Sequence, residues 1–122
     1  MIQIIVSGSR NATAEDGVII RRELSLIHEL EPIDLLIEGG ARGADAFARR
    51  WAWHTGVKRV TIRAQWERYG KAAGHRRNGE MLAEFPEARV LAFPKGPSPG
   101  TRNCIAQAQK LGREPRIVEL KP

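Results

Sequence analysis

Five short apolar runs recur along the chain, and each is rich in isoleucine, valine or leucine. The runs are nearly continuous rather than alternating with polar residues, which is typical of strands that are covered on both faces. We therefore predict five buried strands. They lie at Ile2–Val6, Ile33–Ile37, Val60–Ile62, Val90–Phe93 and Ile117–Leu120.

The segments between these runs carry apolar residues at helical spacing. The clearest stripe follows the second run and recurs at i, i+3, i+4, i+7 and i+8: Ala44, Phe47, Ala48, Trp51 and Ala52. Shorter stripes are Ile20, Leu24 and Ile27; Met81, Leu82 and Phe85; and Ile105, Ala108 and Leu111 or Gly112. Regular alternation of strand and helix predicts a single α/β domain over residues 1–122, with a parallel sheet of about five strands and helices on both faces.

One segment interrupts this rhythm. Residues 63–77 are polar and contain glycine, and they are longer than a usual connection from a strand to a helix. Long irregular loops in compact domains are often functional, so we expect an irregular, functional loop here. Trp66 lies in it among several cations, where it can stack on a base or pack the loop onto the body of the protein.

Glycine-bearing loops follow the first, second and fourth runs. In an open parallel sheet such loops meet at the carboxyl edge, where ligands bind. Glycine lets backbone N–H groups approach an anion, and the next helix adds the positive end of its dipole. The candidate ligand-binding residues are Ser7, Gly8, Ser9 and Arg10 in the first loop, Gly39, Gly40, Arg42, Gly43 and Asp45 in the second, and Gly100 and Thr101 in the last.

Charge strengthens the case for an anionic ligand. The chain carries a formal net charge of +6, and residues 42–77 hold ten basic and two acidic residues. A basic segment on a near-neutral body favours phosphate, a nucleotide or nucleic acid as partner, although an arginine-rich composition produces the same excess.

Composition also excludes several classes of protein. The single cysteine, Cys104, excludes an internal disulfide framework and a cysteine-only zinc site. No run approaches the ~20 apolar residues that span a bilayer, and the first residues do not resemble a secretion signal. The three histidines have no metal-ligand spacing. We expect a cytoplasmic protein with no membrane partner, no metal and no cofactor.

Five motifs in this order resemble the SLOG superfamily, and most closely its small stand-alone YspA-like group. They are GSR at 8–10, GGARGAD at 39–45, a W…YGKAAG…RN block at 66–78, AFP at 92–94 and GT at 100–101. The resemblance covers Ile2 to about Val118. It implies a Rossmann-like three-layer fold that binds a nucleotide or a nucleotide derivative at the loops described above. Relatives in the superfamily include the Lonely Guy phosphoribohydrolases and the Rossmann-like core of DNA-processing protein A.

The resemblance adds Arg77 and Asn78 to the candidate ligand-binding residues, because they match the arginine-containing block of the hydrolases. Arg77 would then be the catalytic candidate. The hydrolases carry a catalytic glutamate three residues after the threonine that matches Thr101, and this chain has Cys104 there. A thiol does not replace a carboxylate in cleaving an N-glycosidic bond. Cys104 is then either a nucleophile of lowered pKa or, the favoured reading, a small buried core residue. A substitute carboxylate would have to come from Glu38, Asp45 or Glu80.

Three functions therefore compete. The leading hypothesis is a non-catalytic binding or sensing module for a nucleotide-derived small molecule. The alternatives are a phosphoribohydrolase acting on a nucleoside monophosphate and a protein that binds single-stranded nucleic acid, as DNA-processing protein A does. Trp53 lies off the apolar stripe of its helix, and with the analogy to SLOG relatives it suggests a homodimer or a higher homo-oligomer.

Overall fold

A computed structural model describes residues 1–122 and shows one five-stranded sheet in which every pairing is parallel. The strand order is β3-β2-β1-β4-β5. The strands are β1 at Ile2–Gly8, β2 at Ile33–Glu38, β3 at Lys58–Thr61, β4 at Arg89–Phe93 and β5 at Arg116–Ile117. This confirms the predicted Rossmann-like α/β architecture.

Five α-helices and one 3₁₀ turn connect the strands. The helices are α1 at Ala14–Leu30, α2 at Ala44–Thr55, α3 at Trp66–Tyr69, α4 at Ala73–Glu84 and α5 at Pro99–Lys110, and the 3₁₀ turn spans Gly70–Ala72. Thr13 and Asp16 form a capping box at the start of α1. None of these helices is both long enough and apolar enough to cross a lipid bilayer.

The alternation of side chains along β1 divides the core into two layers. Ile4 and Val6 point into a cluster that includes residues of α1 and α2, whereas Ile5 points into a second cluster with residues of α4 and α5. All three side chains are essentially inaccessible to water. The nearly continuous apolar runs are explained by this double covering, because every position of a central strand then faces a helix layer.

The two edge strands differ from their predicted ranges. β3 occupies 58–61 rather than 60–62 because Lys58 and Arg59 pair with β2 although their side chains are exposed. β5 pairs only at 116–117 rather than 117–120, and Leu120 makes one isolated bridge to Lys95. Edge strands have one neighbour and a partly solvated surface, so apolar runs mark their ends poorly.

The segment predicted as an irregular loop is largely helical. It holds α3, the 3₁₀ turn and the first turn of α4, so the expectation of an irregular loop over 63–77 is wrong. α3 has no buried residue and therefore no apolar stripe that the sequence could reveal. The prediction that Leu111 belongs to the apolar stripe of the last helix is also wrong. α5 ends at Lys110, and Leu111 is exposed.

The strand order creates a crevice beside β1. The chain moves from β1 to β2 and β3 on one side, whereas β4 and β5 lie on the other side of β1. The loops that follow β1 and β4 therefore lead into helices on opposite faces of the sheet. A position where the connections leave in opposite directions is called a topological switch point. It leaves an opening at the carboxyl ends of the two strands, where ligands bind in open α/β sheets.

Gly43 holds the loop after β1 against the start of α2. Its φ of +74° lies in the region that favours glycine, and a Cβ atom there would collide with the carbonyl groups of Ser9 and Arg10. The amide of Ala44 donates a hydrogen bond of 3.0 Å to the carbonyl of Ser9 across the same contact. The position of the first loop therefore depends on this glycine.

We expect Gly43→Ala to lower the free energy of unfolding by about 3 kcal/mol, because it adds a backbone collision to an unfavourable φ. Gly70→Ala is the matched control, since Gly70 has a similar backbone conformation, with φ +56° and ψ −132°, but has open space around it. The control should lose only about 1–2 kcal/mol, from the unfavourable backbone conformation alone. Urea denaturation of the two variants measures the difference, and equal losses would show that the contact at Gly43 is unimportant.

Candidate functional site

A crevice of about 450 Å³ lies at the switch point between β1 and β4. Its walls are residues 7–11 at the end of β1 and in the loop that follows it, Lys95 and residues 97–101 after β4, and part of the α3–α4 region. Nine of the predicted ligand-binding residues line it. They are Ser7, Gly8, Ser9 and Arg10 from the first loop, Gly100 and Thr101 from the last, and Asp45, Trp66 and Arg77.

Four predicted residues of the second loop do not line the crevice. The backbone of Gly39 supports Arg77, Gly40 donates its amide to Glu38, Gly43 packs against Ser9, and Arg42 is exposed. β2 is one strand away from the switch point, so its loop borders the crevice and reaches it only through Ala41 and Asp45. Direct ligand contact by these four residues stays a prediction that this geometry does not support.

Asn78, also predicted to bind the ligand, instead joins two walls of the crevice from behind. It is buried, and its amide donates hydrogen bonds to the carbonyl of Gly100 at 3.1 Å and to Oδ1 of Asn103 at 3.2 Å. Its own Oδ1 accepts a 3.0 Å hydrogen bond from Nε of Arg77. Asn78 thus fixes Arg77 relative to the first turn of α5.

Arg77 is held at a defined position on the wall. Its Nη1 donates a 2.7 Å hydrogen bond to the carbonyl of Gly39, and Nε is bound to Asn78. A side chain at position 39 would collide with the guanidinium group, so the glycine makes room for the arginine. With Nη1 and Nε occupied in this way, Nη2 is the nitrogen without a protein partner and is available to a ligand.

The first turn of α5 presents unpaired hydrogen-bonding groups. The backbone N–H groups of Gly100 and Thr101 have no acceptor in the protein, as expected for a helix N-terminus. Thr101 lies inside the helix and does not cap it, because Ser98 is the N-cap residue. The Thr101 side chain is 4% exposed and its hydroxyl has no partner, although it lines the crevice.

Basic side chains surround this turn. Lys71, His75 and Lys95 line the crevice with Arg10 and Arg77. Lys95 forms an ion pair of 2.7 Å with Asp16, but Arg10 and Lys71 have no acidic partner. The guanidinium of Arg10 lies 5.3 Å from the ring centre of Trp66, which is 48% exposed. The mouth of the crevice therefore carries uncompensated positive charge beside an accessible aromatic face.

Asp45 is the acidic group on the wall. Its Oδ2 accepts hydrogen bonds from the amides of Gly39 at 3.1 Å and Ala41 at 3.2 Å. Burial raises the pKa of Asp45 to about 7, and the negative charge of Glu38 contributes in the same direction. Glu38 lies behind the wall, fully buried, and accepts hydrogen bonds from Arg49, Gly40 and Thr61.

Cys104 is a core residue. Its side chain is fully buried, and burial raises the pKa of the thiol, so the alternative of a nucleophile with a lowered pKa is wrong. Of the three substitute carboxylates, Glu38 is sealed from the crevice and the exposed Glu80 does not line it. Asp45 alone of the three reaches the crevice.

Three basic wall residues are absent from the site residues that the sequence predicts. Lys71 and His75 were visible in the basic segment, but only the helical path of residues 66–77 turns them toward the crevice. Lys95 directly follows Pro94 at the end of the fourth apolar run. Its place after a predicted strand is the one feature of the sequence that indicates a role in the site. Trp53 is 73% exposed, as its place off the stripe predicts, and self-association through it stays a prediction.

The sequence also matches known proteins. A model of the YAcAr family, described as the YspA, cpYpsA-related SLOG family, matches residues 2–69. The chain is similar to the gene 61 protein of Mycobacterium phage D29, with 39% identity over 118 residues that cover 92% of each chain. No solved structure matches the chain. The resemblance inferred from the motifs is therefore confirmed.

We expect the buried acid to reduce stability as the pH rises. Folded Asp45 keeps its proton up to about pH 7, whereas the unfolded carboxyl releases it near 3.8, so the folded state binds more protons between these values. The free energy of unfolding should then fall with rising pH across this window, by up to about 1.4 kcal/mol per pH unit.

Asp45→Asn should remove this contribution, because its side-chain oxygen can still accept the two amide hydrogen bonds but cannot ionise. Urea denaturation of both chains from pH 4 to pH 8 tests the prediction. The stability of the wild-type chain relative to the variant should decline through the series. Parallel curves would contradict a raised pKa of Asp45.

Proposed function

The chain belongs to the YspA, cpYpsA-related SLOG family, and we propose that it binds a nucleotide or nucleotide-derived ligand in the crevice between β1 and β4 as a non-catalytic sensor or binding module. Family membership indicates a nucleotide-related binding or processing role. One observation carries the proposal. The unpaired amides of Gly100 and Thr101 and the free hydroxyl of Thr101 open onto the same crevice as Arg10 and Lys71.

These groups match the requirements of a phosphate. Phosphate oxygens accept several hydrogen bonds and carry negative charge, and a helix N-terminus supplies both donors and a favourable dipole. Pro99 is the first residue of α5 and has no N–H group, so the amides of Gly100 and Thr101 are the first free donors. Cations without acidic partners add charge-assisted contacts.

The other end of such a ligand would be a base at the mouth. Trp66 offers an exposed ring next to the guanidinium of Arg10, and a planar base can stack on either group. This arrangement places the phosphate near α5 and the base near α3. Both elements line one crevice whose volume is in the range of small-molecule sites.

Binding without catalysis is preferred over hydrolysis because the position of the family glutamate is occupied by the buried Cys104. A carboxylate is needed to stabilise the oxocarbenium-like centre and activate water. The hydrolase alternative therefore depends on Asp45. Release of free base from adenosine monophosphate at high protein concentration, abolished by Asp45→Asn, would establish that alternative in place of a binding module.

A second candidate, binding of single-stranded nucleic acid, is favoured by one surface feature. Beyond Trp66, the ring of Tyr69 lies 5.0 Å from the guanidinium carbon of Arg68 and 4.0 Å from that of Arg76. Alternating aromatic and cationic groups suit successive bases and phosphates.

For this candidate, Tyr69→Ala should weaken binding of an oligonucleotide, with a steep dependence on salt, but leave mononucleotide binding unchanged. Equal mononucleotide and oligonucleotide affinity would exclude it.

For the leading proposal, we expect adenosine mono-, di- or triphosphate to raise the melting temperature, whereas adenosine, which lacks phosphate, should not. Arg10→Ala should weaken nucleotide binding at least about tenfold through loss of a charge-assisted contact. Thr101→Val, which removes only a hydroxyl, should weaken it about threefold. Thermal shift and titration calorimetry measure these effects.

Two exposed arginines provide the comparison. Arg22→Ala on α1 lies away from the crevice and should leave affinity unchanged. Arg42→Ala should also have little effect, although the motif resemblance predicts ligand contact there. A loss at Arg42 equal to that at Arg10 would move the site to the second loop. Failure of every nucleotide to shift the melting temperature would refute the proposal.

A further inference from the structure

Resting on the nucleotide site proposed above, we infer that Asp45 binds a hydroxyl group of the ligand's sugar, so that the crevice prefers ribonucleotides to their deoxy analogues. Asp45 is then a specificity-determining residue of the proposed site, and ribonucleotides are the preferred ligand class. One carboxylate oxygen of Asp45 determines this preference through its position and through the groups with which it can form a hydrogen bond.

Asp45 offers one oxygen to the crevice. Oδ2 is occupied by the amides of Gly39 and Ala41, whereas Oδ1 has no partner in the protein. Because no fully buried side-chain oxygen in this protein lacks a hydrogen-bond partner, Oδ1 must contact solvent. Asp45 is only 4% exposed and lines the crevice, so the crevice is where this contact occurs. The two amides fix the orientation of the carboxyl group.

The surroundings of Oδ1 disfavour a phosphate. Glu38 of β2 lies close enough for its negative charge to affect Asp45, and a third anion would be repelled by both acids. Arg77 of α4 and the Cys104 thiol of α5 are the other titratable groups that face Asp45, and His75 lines the same crevice. A neutral group that donates a hydrogen bond fits this position best.

A sugar hydroxyl is such a group, and it fits both protonation states of Asp45. It donates to the carboxylate, and it accepts from the carboxylic acid. An exocyclic amine of a base can only donate, so it would require the carboxylate form. A sugar also connects phosphate to base, and Asp45 shares its crevice with the phosphate-binding turn of α5 and with Trp66.

Because Asp45 has two protonation states, the affinity difference between ribonucleotides and their deoxy analogues should depend on pH. The pKa of Asp45 is raised to about 7, so the group is an acid below neutral pH and an anion above it. A hydrogen bond to an ionised acceptor is stronger than one between neutral groups. The penalty for removing the hydroxyl should therefore be larger at high pH than at low pH.

The test compares the four ribonucleoside monophosphates with their 2′-deoxy and 3′-deoxy analogues at pH 5.5 and pH 8.5, by titration calorimetry on the intact protein. We expect one deoxy series to bind at least about tenfold more weakly at pH 8.5 and about threefold more weakly at pH 5.5. The ratio of dissociation constants is the readout, because ionisation of the phosphate affects both ligands of a pair equally. The wild-type chain alone supplies this result.

Asp45→Asn should make the ratio independent of pH, since its side chain cannot ionise. If the deoxy analogues bind within twofold of the ribonucleotides at both pH values, the inference is overturned. The proposed nucleotide site would still stand in that case, provided that Arg10→Ala weakens the binding of all these ligands. Inosine monophosphate lacks the amine of adenine. If it binds more weakly than adenosine monophosphate, and Asp45→Asn removes that difference, Asp45 contacts the base instead of the sugar. If no nucleotide binds, both proposals fall.

Discussion

The central position of β1 in the sheet, with β2 on one side and β4 on the other, is the constraint on which the rest of the structure depends. β1 pairs with β2 and β4, and the helices that follow β1 and β4 pack on opposite faces of the sheet. The two loops therefore diverge at the carboxyl edge, and Lys95 of the loop after β4 reaches across to the carbonyl of Asn11 in the loop after β1 and to Asp16. Their polar backbone groups face a shared space, which α3 and α4 narrow into a crevice. The unpaired donors of α5 are tolerated there because water or a ligand can reach them.

A buried pair of acids, with Asp45 on the wall and Glu38 behind it, distinguishes this crevice from an ordinary anion-binding site. Glu38 is satisfied by Arg49 and neighbouring donors, whereas Asp45 is held by two amides and keeps one oxygen toward the crevice. Placing a carboxyl beside another acid in a dry environment costs stability. Acids in such positions are often functional, since the same burial that raises the pKa also orients the group.

The sequence predicted the architecture well because the central strands are covered on both faces, so their apolar runs mark them clearly. It predicted the edge strands and the 63–77 segment poorly because exposed elements such as α3 carry no apolar signature. At the site, Ser7, Arg10 and Thr101 could be predicted from their place after strands. The separation of Arg42 and Gly39 from the crevice could not, since it follows from the order of strands in the sheet. Asn78 shows a related limit: a motif identifies a position, but only its contacts show that it supports Arg77 from behind.

The most direct test of the nucleotide site is a nuclear magnetic resonance titration of the ¹⁵N-labelled protein with adenosine monophosphate. If the phosphate binds at the start of α5, the amide resonances of Gly100 and Thr101 should move furthest, as hydrogen-bonded amides do, and the indole resonance of Trp66 should move with them. Unchanged resonances at these positions, or shifts confined to the loop of residues 39–43, would contradict the account.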